Sequence, residues 1–492
     1  MPEPAPPPDR LLSPAGWWGL VVGIAALAAV FMIPPPGTLP PAGWRVLGLA
    51  LMMAIWWSTE PVPIAITSLL PLIVLPLAGI GDIGAAAAAY GNPLIFLFLG
   101  GLMLAAAVQR WGLHARLAHA VVRNVGTEPH RLVLGFMLAS ALLSMWISNT
   151  AAVVLMLPVA VSVIAAFEGA GGASADRTRT FALSLLLGLA FGASIGGVGT
   201  LIGTPPNALL AGYLLDAHGM DLSFAAWSMV GLPLVAVFLP LAWLVLTRLV
   251  YPVARDDTVA TDTLLAGLRP GPMQKPEARV AVVFATAAAL WMCRPLLNRI
   301  PGLEGLSDAG IALICAGALY LIPSGAGTQK VRPLLTWDEG KRIPWQVLLL
   351  FGGGLSLAGA MERSGLAIWI GEGFAAMGTV PPLVFLLLLA GTVVLLTEVA
   401  SNTAVVAALL PIVATIAAGT GMDVVVLAAA VAMAASCAFM LPAATPPNAI
   451  IFATGHVTVA AMIRAGIWLN VLSVLLVSAV AHLLAPLLPG VG

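Results

Sequence analysis

Charge is the scarcest property of this 492-residue chain. Asp, Glu, Lys and Arg make up 9% of it and hydrophobic residues 60%, against roughly 25% charged residues in an ordinary soluble domain. That excludes a soluble globular protein. Apolar runs of the roughly 17 to 25 residues needed to cross a bilayer recur from about Leu20 to Leu488, leaving no room for a sizeable soluble domain. The 21 basic residues are balanced by 21 acidic ones with no basic stripe, which excludes nucleic acid as a partner. Cysteine is nearly absent too: Cys293, Cys315 and Cys437 lie far apart with no CxxC or Cys/His cluster, so neither a disulfide framework nor a zinc site is indicated. His114 and His119 are five residues apart, a poor spacing for two ligands on one helical face. The proline-rich residues 1–14 are expected to be a disordered tail. The apolar run from about Ala15 to Ile33 is too long for a signal-peptide core and lacks a cleavage pattern, so residues 15–43 are expected to be a retained first span and its loop.

What the chain does have is an internal repeat. GGLMLAAAVQRWGL (100–113) matches GGLSLAGAMERSGL (353–366) at nine of fourteen positions, an offset of 253 residues. The same offset carries Ser148-Asn149-Thr150 to Ser401-Asn402-Thr403, Pro158 to Pro411, and Ser144 to Thr397. Downstream, GTPPN (203–207) returns as ATPPN (444–448) at an offset of 241, the twelve-residue difference being absorbed by the loop EGAGGASADRTR at 168–179. Two copies of one unit are therefore expected, at 44–254 and 278–492, joined by a charged linker at 255–277. With the N-terminus inside and eleven spans, 17 of the 21 basic residues fall on cytoplasmic segments, leaving Arg45, Arg294, Arg299 and Arg363 outside. Each repeat then holds five spans, an odd number, so the halves run in opposite directions. Inverted repeats of this kind characterise transporters, with binding sites near the midplane.

Ser-Asn-Thr sits in the middle of very apolar runs. Leu132 to Phe167 is 36 residues, roughly 54 Å as one helix against a hydrocarbon core of roughly 30 Å. Broken at Ser148 to Thr150, it becomes a re-entrant hairpin (132–167), and 382–418 does the same from the opposite face. The proline pairs Pro205-Pro206 and Pro446-Pro447 are expected to unwind the spans 180–215 and 423–455. Such breaks are tolerable only inside protein or beside water. Half-helix N-termini suit an anion, while exposed carbonyls and Asn oxygens suit Na⁺. Two pseudosymmetric cation sites flanking one anion are expected. A single SNT could be an interhelical hydrogen-bonding patch, but two copies, each followed by TPPN, argue for a shared site.

At these paired SNT and TPPN motifs, from about Trp44 to Leu488, the sequence resembles the divalent anion:sodium symporter family of dicarboxylate, citrate and sulfate carriers. The resemblance implies an all-α polytopic membrane protein with about eleven transmembrane helices, two re-entrant hairpins, and scaffold and transport domains. It also implies a homodimer working by an elevator-like mechanism in the bacterial inner membrane. Carried over by motif, sodium site 1 would use Ser144, Ser148, Asn149 and Gly203, and sodium site 2 Thr397, Ala400, Asn402 and Ala444. Substrate would be held by Asn149, Thr150, Ser401, Asn402 and Thr403, with Thr204, Thr445 and Pro446 closing the site. The expected activity is Na⁺-coupled uptake of a small di- or tricarboxylate, with a C4-dicarboxylate such as succinate foremost. A sodium-independent exchanger, or a citrate or sulfate carrier, remains the alternative. A membrane-embedded enzyme would need a nucleophile or an acid and base at the site, and the four breaks offer no histidine or carboxylate pair.

Other residues have quieter readings. Glu398 lies three residues before the second SNT, but its counterpart is Met145, so it cannot belong to a symmetric site; a hydrogen-bonding role is favoured over a proton-linked one. Glu60 in STEPVP is expected to be structural. Leu113, Leu117, Val121 and Val125 on one face, with Arg116, His119 and Arg123 on another, fit a helix lying on the membrane surface. The glycines of GASIGGVGTLIG lack a following Lys-Ser/Thr, so close helix packing explains them better than a nucleotide loop.

Overall fold

In a computed structural model, residues 14–126, 128–169, 175–253, 271–325, 332–375 and 380–488 are described. The tail at 1–13, most of the linker expected at 255–277, and the centre of the 168–179 loop lie outside them. The fold is an all-helical, multi-pass membrane architecture; apart from one bridge between Pro323 and Pro333, the regular elements described are helices. Eight helices among the described residues are long and apolar enough to cross a bilayer, and five further apolar helices are 10–17 residues long. The eight include three hairpin arms, Asn149–Glu168, Pro382–Val399 and Asn402–Thr420, so they are not a count of the eleven or so spans expected.

Helix breaks fall at the repeated motifs. The first hairpin segment consists of Pro129–Ser144 and Asn149–Gly169, and the second of Pro382–Val399 and Asn402–Thr420. The first spans 129–169 against the expected 132–167 and the second 382–420 against 382–418; Pro129 and Pro382 each stand in a first helical turn, where the amide is unpaired anyway. Each broken helix is likewise two pieces, Ala175–Gly197 with Pro205–His218 and Val424–Ala435 with Pro446–Phe452. In all four cases the second piece begins at the SNT asparagine or at the first proline of TPPN.

Helix Ala175–Gly197 is the central post, with 94% of its spanning window buried. It packs along Pro129–Ser144 through glycine: a methyl on Gly192 would lie 2.6 Å from Ser140 Oγ and 2.7 Å from the Met137 carbonyl. Only glycine lets the backbones approach this closely. The halves also interlock. Pro205–His218 of the first repeat packs on Asn402–Thr420 of the second, and Pro446–Phe452 of the second on Asn149–Gly169 of the first.

Charged residues gather at two opposite ends. At one, Arg110 and Arg332 both pair with Glu339 at 2.6 Å and Arg116 pairs with Glu277 at 2.5 Å. At the other, Arg294 bridges Asp221 at 2.8 Å and Asp308 at 3.1 Å, and Asp308 accepts the Phe224 amide. The amphipathic helix Leu113–Val125 forms at the first end, tied down by Arg116.

Candidate functional site

The two TPPN breaks are built alike. Thr204 and Thr445 have nearly identical backbone angles, φ −143°, ψ 143° and φ −141°, ψ 148°. Three residues on, Asn207 Nδ2 donates to the carbonyls of Gly197 (3.2 Å) and Thr200 (2.8 Å). Asn448 Nδ2 donates to those of Ala438 (3.2 Å) and Leu441 (3.1 Å), the same positions under the 241 offset. Both asparagines are fully buried. Each satisfies carbonyls that the unwound segment would leave without helical partners, fixing the shape of the loop. Both belong to the repeated motif, yet neither was among the expected site residues; the repetition itself was the available signal.

Around the first break, oxygens converge. Ser144 Oγ donates to Asn149 Oδ1 at 2.5 Å. A methyl on Gly197 would sit 2.6 Å from Asn149 Oδ1 and 3.3 Å from the Gly203 carbonyl, and one on Gly203 would sit 3.0 Å from the Ser144 carbonyl and against that of Gly197. Ser144, Asn149, Gly197 and Gly203 thus line one cradle that a Cβ would fill. Neutral carbonyl and amide oxygens at half-helix ends suit a desolvated Na⁺, so the residues present fit such an ion. In the sequence Gly197 stands among the glycines expected to pack helices, and nothing there separates it from its neighbour Gly196. Ser148 is exposed, and its Oγ accepts the Ala151 amide at 3.2 Å, capping the second arm.

The second break differs. Thr397 Oγ1 turns back to the Val394 carbonyl at 3.0 Å, and Asn402 Oδ1 is buried without a hydrogen-bond partner among the described residues. An orphaned amide oxygen costs free energy unless something fills its place, and a cation would. Ala400 and Ala444 lie at the two chain breaks, Ala444 buried. Glu398 accepts the amides of Phe439 (2.8 Å), Met440 (2.9 Å) and Leu441 (3.0 Å), and Asn470 Nδ2 (2.7 Å). It ties the hairpin arm to the unwound loop and to the last long helix. In the first repeat a lighter link replaces it, Thr200 Oγ1 to the Met145 carbonyl. Asn470, in an ordinary helix pattern, carried no sequence signal.

Thr150, Ser401 and Thr403 are partly exposed at the starts of their helices, Pro446 is exposed, and Thr204 and Thr445 are buried. Thr445 Oγ1 accepts the Asn448 amide at 3.3 Å; the side chains of Thr150 and Thr403 show no direct bond to one another. The first-turn amides of the two SNT helices have no intrahelical acceptors, leaving a positive helix end at each tip. Trp146, also unforeseen, packs beside the first tip against Phe224, Phe284 and Trp291, with centroids 5.8, 4.9 and 6.5 Å away. Among the described residues no cluster of His, Cys, Asp or Glu could hold a metal ion.

Residues 14–489 match the family described as the sodium:sulfate symporter transmembrane region. The chain belongs to the divalent anion:sodium symporter family. A sodium-dependent dicarboxylate transporter, SdcS, of Staphylococcus aureus strain USA300 is 39% identical over 478 residues, spanning 96% of this chain and 92% of SdcS. SdcS of Staphylococcus saprophyticus is equally similar, at 39% identity over the same share of each chain. Among solved structures, the Alcanivorax borkumensis YdaH transporter superposes with a TM-score of 0.57 at 16% identity, covering 96% of this chain and 97% of YdaH. Neisseria gonorrhoeae MtrF superposes at 0.58 and 12%, covering 98% of this chain and 96% of MtrF. At such identities the likeness is one of fold. As a divalent anion:sodium symporter family member, the protein is a membrane transporter and not an enzyme.

Proposed function

We propose that the protein couples Na⁺ to the uptake of a small dicarboxylate, with a C4-dicarboxylate such as succinate as substrate. The carrying observation is the convergence of uncharged oxygens from Ser144, Asn149, Gly197 and Gly203 into a cradle that a single Cβ would fill. The 39% identity to SdcS, itself named a sodium-dependent dicarboxylate transporter, supports the same reading. One Na⁺ occupies this cradle and a second the pseudosymmetric place formed by Thr397, Ala400, Asn402 and Ala444. The carboxylates of the substrate lie between the tips, on Asn149, Thr150, Ser401, Asn402 and Thr403, with Thr204, Thr445 and Pro446 bordering them. Sodium binding orders the tips and offsets the cost of desolvating a dianion, so substrate affinity rises with Na⁺.

In the same proposal the protein is a homodimer in a bacterial inner membrane, N-terminus cytoplasmic, with a transport domain sliding against a scaffold. Succinate uptake into proteoliposomes tests it: uptake driven by a Na⁺ gradient and abolished by choline substitution is expected. Uptake indifferent to that substitution would sink the symport reading and favour a sodium-independent exchanger.

A further inference from the structure

At the end of the molecule that carries Arg110, Arg116 and Glu339, three other arginines stand on three packed elements. Arg179 is in the first turns of Ala175–Gly197, Arg248 in the π-helical turn Val245–Val250, and Arg464 in the first turns of Val459–Leu483. The π-helical turn packs against both other helices. Tyr251 fixes the meeting point: its hydroxyl donates to the Ala461 carbonyl at 2.8 Å and its carbonyl accepts Ser184 Oγ at 3.2 Å. Burial raises the Tyr251 phenol above its ordinary value, and the positive charges of Arg464 and Arg179 oppose that shift. All three arginines are exposed, and none has an ion-pair or hydrogen-bonding partner among the described residues. Near Tyr251 opens a cleft of about 270 Å³ bounded by Asp176, Arg177, Thr180, Phe181, Pro252 and Val253 among others, and none of the three arginines lines it.

What lies next to two of these arginines decides the class of ligand. Leu244, four residues before Arg248, is 41% exposed, and Ile467 and Trp468, three and four residues after Arg464, are 48% and 51% exposed. Residues three or four apart share a helix face. Because the two helices run in opposite directions at this end, both apolar faces lead away from the arginines into the bilayer. A soluble phosphate needs only the charges; an amphipathic anion uses the charges and the stripes together.

We propose that Arg179, Arg248 and Arg464 form a headgroup site for an anionic phospholipid, its phosphodiester held by the guanidinium groups and its acyl chains lying along the Leu244 and Ile467–Trp468 faces. Arginine matches a phosphate bidentately. This site is separate from the transport site and does not depend on the substrate assigned there.

Native mass spectrometry of the purified protein, delipidated in neutral detergent and supplied with phosphatidylglycerol or phosphatidylcholine of matched chains, reads retention directly. Wild type is expected to retain phosphatidylglycerol in preference. Each Arg→Gln substitution at 179, 248 or 464 should weaken retention on the order of fivefold, from the contribution of one basic residue near an anionic headgroup. Arg248→Lys and Arg464→Lys keep the charge, lose the planar fork, and should fall between; they test the site even where the glutamine variants fold poorly. Equal retention of the two lipids, unchanged retention in monodisperse glutamine variants, or displacement by millimolar glycerol 1-phosphate as effective as by lipid would each overturn the proposal.

Discussion

Asn149 and Asn402 occupy equivalent positions in the repeat but sit in different surroundings. Asn149 Oδ1 accepts the Ser144 hydroxyl, whereas Asn402 Oδ1 is buried and unpartnered among the described residues. In the proposed site each borders a cation place and a tip, so Asn149→Ala or Asn402→Ala should weaken both Na⁺ and substrate binding. Thr150→Ala and Thr403→Ala should weaken substrate binding alone; isothermal titration of each ligand separates the two outcomes. Gly197→Ala would thrust a methyl to 2.6 Å from Asn149 Oδ1 and should raise the Na⁺ concentration for half-maximal uptake roughly five- to 150-fold, as overpacking costs about 1 to 3 kcal/mol. Gly391→Ala, where nothing lies within 4 Å of the added methyl, is the control. Glu398→Ala would strand three backbone amides in the low-dielectric interior. A loss of at least about 3 kcal/mol is expected, seen as a lower melting temperature in detergent, with Glu398→Gln milder because one oxygen remains to accept.

Helices here are defined as much by where they stop as by their apolar faces. Proline and the SNT triplets are local signals, acting within a residue or two through a missing amide or a competing side-chain bond, so the positions of the breaks were legible. Helix contacts lay beyond the sequence. The glycines of GASIGGVGTLIG were expected to pack helices: Gly192 does, while Gly197 and Gly203 border the oxygen cradle, and nothing in their spacing separates the two groups. Gly192→Val should loosen Ala175–Gly197 from Pro129–Ser144 and lower the melting temperature without changing the ratio of Na⁺ to substrate affinity. At the basic end, burial raises the Glu339 carboxyl, but hydrogen bonds from Thr336 and Arg332 outweigh it and hold the group below its ordinary 4.5. Its folded value is depressed, so the stabilisation is complete above pH 4.5 and is lost as pH falls through the lower folded value. Thermal melts at pH 7 and pH 3 should differ more in wild type than in Glu339→Gln.

Across the whole molecule, the two repeats exchange partners: each broken helix leans on the SNT arm of the other half. In the proposed site the cation and anion places made this way share walls, so ligands that bind them would be coupled through the same packed helices. Succinate should therefore stabilise the protein against heat in Na⁺ and have little effect in choline; stabilisation equal in both salts would show the places to be independent. Composition settled that this chain is membrane-embedded and helical, and repetition marked the residues at which its helices break, because charge scarcity, apolar run length and proline act locally along the chain; that it is a transporter follows from the family its motifs belong to. Only the tertiary structure decided which oxygens face one another. Glu398 meets amides 41 to 43 residues away and Asn470 at 72, and Trp146 meets rings on two distant helices. Those partners are chosen by how separate helices pack, and no local pattern in a single sequence carries that information.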